Sequence, residues 1–292
     1  MFENLFNIKK TKNIYLAGWE VLLNGDQQCE NFIATQITNK KTVKTLYSGI
    51  ELVFENEKLV KAYDYQDGNR KYRKLKADEV GLTYKKYKEN KILKFVEDKN
   101  GMHQLGGEVP NEFKINEIED LSIGFQYLGF ISNEDNKFSW LPFKMHLACP
   151  IYLNFEFLFL DYSNPNKPKI INKEEINIVN TSYPENLNEN SEIIFNEMKF
   201  NYIESIEFEG INDGGIPQWA QYPTIPNCPI SGKRMKFLCQ LNGGVTTNRT
   251  NIIPLNDWDR KYYEQLNFWG DGDLYIFFEP TEKTACYFIQ NT

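Results

Sequence analysis

Apolar positions along this chain fall in short runs separated by polar and glycine-containing breaks, and the runs have the length of strands rather than helices. From Thr45 the order is TLYSGIELVF, a polar break at ENEK, LVKAYDY, a second break at QDGN, then RKYRKL. This alternation predicts a meander of hairpins, with Asp67-Gly68 as a turn. Upstream, Ile14 to Leu23 is one more apolar run, expected as a strand, in a region that otherwise carries little pattern. The lysines between Lys71 and Lys99 are interspersed with Tyr, Leu and Val and partly balanced by acids. They read as the solvated faces of strands rather than as a polyanion site.

Two later stretches share one grammar. Gly106-Gly107, Pro110, a loop and a strand at Gly124 to Ile131 are matched by Gly214-Gly215, Pro217, a loop and a strand at Met235 to Leu241. A further aromatic strand is expected after each, Ile151 to Leu160 and Leu274 to Glu279. The pattern suggests a divergent internal duplication. Between the two, residues 161–192 are dominated by Asn, Pro, Glu and Lys and read as a loop-rich connection. Residues 193–209 return to apolar spacing that fits strands or one short helix, and periodicity does not separate the two. The expected organisation is a β-meander over residues 1–100, a first module over 101–160, the connection over 161–192 and a second module over 193–292. The fold class is mainly β, α+β with few helices, built from two divergent repeated antiparallel modules.

Composition supports the β reading, since 15% of the residues are aromatic, with 21 Phe and 17 Tyr. With 292 residues and 41% hydrophobic residues the chain can fill a sizeable core. The formal net charge of -7 disfavours a nucleic-acid backbone as partner and suits a basic protein. Five scattered cysteines are read as reduced thiols of a cytoplasmic protein rather than as a disulfide framework. No apolar window reaches the ~20 residues that cross a bilayer, and Glu20 with Asn24-Gly25-Asp26 argues against a signal peptide, so no membrane partner is expected.

Candidate chemistry is sparse. The two histidines, His103 and His146, limit any nucleophile system to one of them, and His146 lies three residues before Cys149. Its apolar neighbours Leu147, Ala148 and Ile151 favour a packed imidazole and a buried thiol over a catalytic pair. Cys228 in CPISG has the form of half a zinc knuckle, but Ser231 stands where the second sulfur belongs, so no metal is assigned. Asn242-Gly243-Gly244 lacks the Lys-Ser/Thr and helix of a phosphate loop and reads as a turn leaving a strand. Asp271 and Asp273 in GDGD lack the further oxygen ligands of a calcium loop and read as a turn entering the last strand. No catalytic residue and no cofactor is expected.

GGIPQWAQYPTIPNCPISGKRMKFLCQL, followed by FWGDGDLYIFFE, resembles the YwqG-like bacterial family, a family of unknown function related to programmed cell death protein 2. The family pattern is a GG-x-P-x-W entry, a CPxCG-like knuckle, an M-x-F-L-x-Q strand and a GDGG-L-Y strand. Gly214, Gly215, Pro217, Trp219, Gln221, Cys228, Pro229, Gly232, Met235, Phe237, Leu238, Gln240, Gly270, Asp271, Gly272, Leu274 and Tyr275 match it. Ser231 and Asp273 depart from it. The likeness is strong over about residues 210–290, weaker through the earlier module and absent before about residue 100.

The resemblance implies duplicated β modules that act as chaperones or interaction modules, with some members acting as immunity proteins of bacterial toxin systems. The leading expectation is therefore a non-enzymatic module that neutralises a cognate toxin domain by direct binding. The alternatives are a client-specific folding chaperone and a hydrolase using Cys149 and His146. Trp219, Gln221, Tyr222, Trp269 and Asp271 are the expected partner-contacting residues. Trp219, Tyr222 and Trp269 lie in loops flanked by Gly and Pro, where a large ring can anchor an interface. The other reading of the tryptophans is that Trp219 and Trp269 close the ends of the β core. Prolines at 217, 223, 226 and 229 would stiffen the loop and reduce the entropy lost on docking.

Overall fold

The structure, a computed structural model, describes residues 92–115, 124–178, 187–188, 190–205, 212–220, 224–268 and 270–291. In the N-terminal part it describes 16–23, 26–32, 34–39, 42–47, 50–56, 58–66, 69–75, 77 and 80–81. The chain forms two compact units, one built on Met1–Lys91 and the other on Ile92–Gln221 and Ile225–Thr292. Residues 92–100, expected with the N-terminal meander, thus belong to the second unit.

In the N-terminal unit, β1 (Leu16–Leu23) and β2 (Asp26–Phe32) form a hairpin. β3 (Ala34–Asn39), β4 (Thr42–Tyr47), β5 (Ile50–Glu55), β6 (Lys58–Gln66) and β7 (Asn69–Arg73) form an antiparallel sheet in chain order. This is the meander that the alternating runs predict. Leu52, Phe54, Leu59 and Ala62 are buried, which gives β5 and β6 their apolar contribution. The Asp67-Gly68 turn lies outside the described residues; the strands flanking it pair from Gln66 to Asn69.

The second unit contains β8 (Ile92–Glu97), β9 (His103–Leu105), β10 (Gln126–Ile131), β11 (Met145–Cys149), β12 (Leu158–Asp161) and β13 (Lys169–Ile170). After helix α1 (Lys173–Ile178) come β14 (Ile193–Phe195), β15 (Met198–Ser205), β16 (Lys236–Leu241) and β17 (Thr247–Thr250). Helix α2 (Asp257–Tyr263), β18 (Asp273–Glu279) and β19 (Thr284–Gln290) complete it. Two five-stranded antiparallel sheets result, ordered β11-β10-β9-β15-β8 and β13-β12-β19-β18-β16. Gly214 joins them. It bridges Leu93 of β8 on one side and Cys239 of β16 on the other. Its N–H donates to Leu93 at 2.7 Å, and its carbonyl accepts from Leu93 at 2.9 Å.

The two glycine-led stretches adopt the same local arrangement. In the first, Leu105 opposes Gly129 of β10, and β10 is bulged against β11 between Tyr127 and Gly129. In the second, Gly214 opposes Cys239, and β16 is bulged against β18 between Phe237 and Cys239. The residue inside each bulge is a leucine, Leu128 or Leu238, fully buried in one common core. One member of each opposed pair is a glycine, and at Gly129 the backbones come too close for a side chain. A Cβ on Gly129, at φ +112°, would sit 2.0 Å from the Gln104 carbonyl oxygen.

Strands from the two expected module ranges pair with one another inside one unit. β9 pairs with β15, and β12 pairs with β19. Ile151 to Leu160 is not one strand: only Leu158–Asp161 is extended, and it lies in the other sheet from β11. Pro150 turns the chain, accepting from the Leu153 N–H at 2.9 Å. Ile151, Tyr152 and Leu153 are buried side chains of that turn, so the apolar run reports core packing and not a strand. Residues 193–205 resolve as two strands, without a helix. No helix among the described residues is long and apolar enough to cross a membrane.

Candidate functional site

The segment after β15 is fixed from both ends by side-chain carboxylates and amides. Asp213 accepts from the Phe95 N–H at 2.9 Å and from Gln218 Nε2 at 3.3 Å. Gln240 Oε1, on β16, accepts from the Gln218 N–H at 2.8 Å, and Gln240 Nε2 donates to Asp273 Oδ2 at 2.9 Å. The Tyr275 hydroxyl donates to the Gln218 carbonyl and accepts from the Ala220 N–H at 2.9 Å. Burial raises the Asp273 carboxyl to about 6 against the pull of Gln240, Tyr275 and Asn242, with the Asp271 charge adding to the rise.

These bonds lay Trp219 flat on the outer face of β18 and β19. Its ring stacks on Tyr275 at 4.9 Å and 22°, on Phe277 at 6.1 Å and 12°, and on Phe288 at 6.2 Å and 11°. With Met235, Phe237, Phe159 and Ile225 they form a second apolar cluster on that face. Trp219 therefore covers β structure while keeping part of its surface in solvent. Its indole Nε1 is buried without an acceptor among the described residues. Asp271 is exposed in the turn that enters β18. Gln221, Tyr222 and Trp269 lie outside the described residues.

The CPISG stretch is a tight hairpin. Cys228 N–H donates to the Lys233 carbonyl and its own carbonyl accepts from Gly232, both at 2.8 Å. Burial pushes the Cys228 thiol up, but donors from the backbone of Ser231 and Ile230 and from the Ser231 and Thr284 hydroxyls outweigh it and hold the thiol below its usual value. Ser231, at the position of the missing second sulfur, thus points its hydroxyl at the first. No group of three His, Cys, Asp or Glu side chains converges on a point among the described residues. The GDGD stretch is a turn, with Gly272 N–H donating to the Phe268 carbonyl at 2.8 Å. It leads into β18, which is followed by β19, so it does not enter the last strand.

The histidines are packed. His103 Nδ1 accepts from the Ser132 N–H at 3.1 Å, so Nε2 carries the proton and donates to Asp135 at 3.1 Å. His146 Nδ1 is 2.9 Å from the Tyr127 hydroxyl. Cys149 is fully buried, and burial pushes its thiol well up. Burial also lowers both imidazoles below 6.5, more than Asp135 raises His103 or Glu112 raises His146. A lowered imidazole favours the fold above its unfolded value, and that contribution is lost as pH falls from about 6.5 toward the folded value. Each histidine is expected to lower stability as the pH falls below about 6.5, the ordinary imidazole value. Urea unfolding should therefore have a lower midpoint at pH 5.5 than at 7.5, with a larger drop in Asp273→Asn, which lacks the opposing carboxyl. A higher midpoint at pH 5.5 would contradict the burial of these rings.

The sequence reading passed over the region between β17 and β18. Ile253, Leu255 and Trp258 are 81%, 69% and 54% exposed within six consecutive residues. Asn256 caps α2, its Oδ1 accepting from the N–H groups of Trp258 and Asp259 at 2.9 Å. Trp258 meets Tyr262 edge to face at 4.8 Å. Beside them Lys261, Gln265, Asn267 and Gly270 complete an open pocket of about 180 Å³ with Trp258 and Tyr262. Gly270 places this pocket next to Asp271. The signal was the IIPL run followed by an Asn cap and a tryptophan in the first turn of a helix: Ile252 enters the core, and the apolar residues after it point elsewhere.

The fold and this surface define a mainly β protein with an aromatic-covered sheet and an exposed apolar corner. Comparison of the chain with family models, curated proteins and solved structures finds no match.

Proposed function

We propose that this chain is a non-enzymatic, cytoplasmic protein-binding module of YwqG-like type that neutralises a toxin domain by docking on it. The observation that carries the reading is the corner formed by Ile253, Leu255 and Trp258, with the pocket that Trp258 lines together with Tyr262 and Gly270. Three large apolar side chains exposed within six residues, with the charged Asp257, Arg260 and Lys261 on the adjoining helix α2, have the make-up of a docking site. The net charge of -7 suits a basic partner, whose association it would accelerate. The hydrolase alternative loses its support, because the His146 ring is engaged by Tyr127 and Cys149 is fully buried.

Co-expression with the product of the adjacent reading frame tests the proposal. Relief of that product's toxicity together with a complex that survives size-exclusion chromatography is expected. A non-toxic neighbour that fails to co-purify, or binding confined to its unfolded form, would overturn the proposal.

A further inference from the structure

We propose that the β6–β7 hairpin of the N-terminal unit carries a site for single-stranded nucleic acid, a binding activity separate from the docking corner on the second unit. The net charge of -7 conceals a division. Residues 1–91 carry 17 Lys and Arg against 12 Asp and Glu, whereas residues 92–292 carry 16 against 28. The objection that net charge raises to a polyanion therefore applies to the second unit and not to the first.

β6 and β7 pair Tyr63 with Tyr72 and Ala62 with Arg73. Ala62 is fully buried and marks the face turned to the core, so Lys61, Tyr63, Arg70 and Tyr72 belong to the opposite face. On that face Tyr72 is 65% exposed, Lys61 and Arg70 are exposed, and so is Lys74, which follows the strand at the same alternation. The rings of Tyr63 and Tyr72 meet edge to face at 5.8 Å, and the Arg70 guanidinium is held 3.5 Å from the Tyr63 centroid. The register sets one acid, Glu51 of β5, opposite Tyr63. Lys61, Arg70 and Lys74 can neutralise phosphates while a base stacks on the exposed ring of Tyr72, whatever its identity, because every base has a π-face. Charge alone would suit any polyanion. The exposed ring selects a strand with unpaired bases over a duplex, whose bases are stacked on one another, and over an acidic peptide or a lipid headgroup, which carry no base.

Fluorescence anisotropy of a labelled oligothymidine of about 12 nucleotides, titrated with the full chain, tests the site. Binding should weaken with salt, the slope of log K against log[salt] being about -2, as three neutralised phosphates give. Tyr72→Ala should weaken binding about 10-fold at unchanged slope, and Tyr72→Phe should retain it. The double variant Lys61→Gln, Lys74→Gln should flatten the slope to about -0.7. Trp258→Ala, on the other unit, should bind as the wild type does, so that loss of this site and loss of the docking corner are read separately. No binding, binding undiminished in a folded Tyr72→Ala, or equal affinity for a duplex would overturn the proposal. So would retention on phosphatidylserine vesicles, or association between copies of the chain, that is lost with these substitutions while the oligonucleotide stays unbound. If Tyr72→Ala does not fold, an unchanged salt slope in the lysine double variant overturns it.

Discussion

Truncating Leu238 to alanine is expected to destabilise the second unit by about 3 kcal/mol, and Leu128→Ala by a similar amount. Both leucines are fully buried in the core shared by the two sheets, and each occupies the bulge of its strand. A bulge fixes the direction of its extra side chain, so neighbours cannot collapse into the space without undoing the strand register. The lost transfer free energy and the residual cavity therefore add. Urea unfolding of each variant measures the effect. Ile253→Ala, at a position 81% exposed, serves as the control and should stay within about 0.5 kcal/mol of the wild type. A loss below about 1 kcal/mol at either leucine would contradict the shared core.

The second large effect falls on binding rather than folding. Trp258→Ala removes an indole that is 54% exposed, outside the buried clusters, so the unfolding midpoint should barely change. If this corner is the docking surface, Trp258 is its largest anchor, and truncation should weaken the partner about 30-fold, corresponding to about 2 kcal/mol. Leu255→Asp should act in the same direction by placing a charge in the interface. Trp219 has a different profile. Stacked on Tyr275, Phe277 and Phe288, it contributes to the outer aromatic cluster, so Trp219→Ala should lower stability before it informs on binding.

Local alternation was enough to place the meander from Thr45 onward, because each strand there pairs with its neighbour in chain order, whereas the β1–β2 hairpin and β3 carried too little pattern to be placed. It failed at Ile151 to Leu160, where apolar side chains are needed by the core while the backbone turns at Pro150. It could not reveal that β9 pairs with β15 or β12 with β19, since those pairings join residues far apart in the chain. The glycine, proline and aromatic density of residues 213–241 marked the segment that joins the sheets through Gly214. Its tryptophan could be read either as a docking anchor or as a plug of the β core, and the structure lays it against β18 and β19 with part of its surface in solvent. The exposed corner at Ile253, Leu255 and Trp258 went unread because its apolar residues neither alternate nor repeat with helical spacing until the Asn256 cap is recognised.

The most direct test of a docking surface at this corner is calorimetric titration of the adjacent reading frame's purified product into the wild type and into Trp258→Ala at equal ionic strength. The account predicts a 1:1 complex with the wild type and a Kd about 30-fold higher for the variant, with the unfolding midpoints of the two proteins unchanged. Equal affinity for the wild type and a correctly folded Trp258→Ala would contradict it.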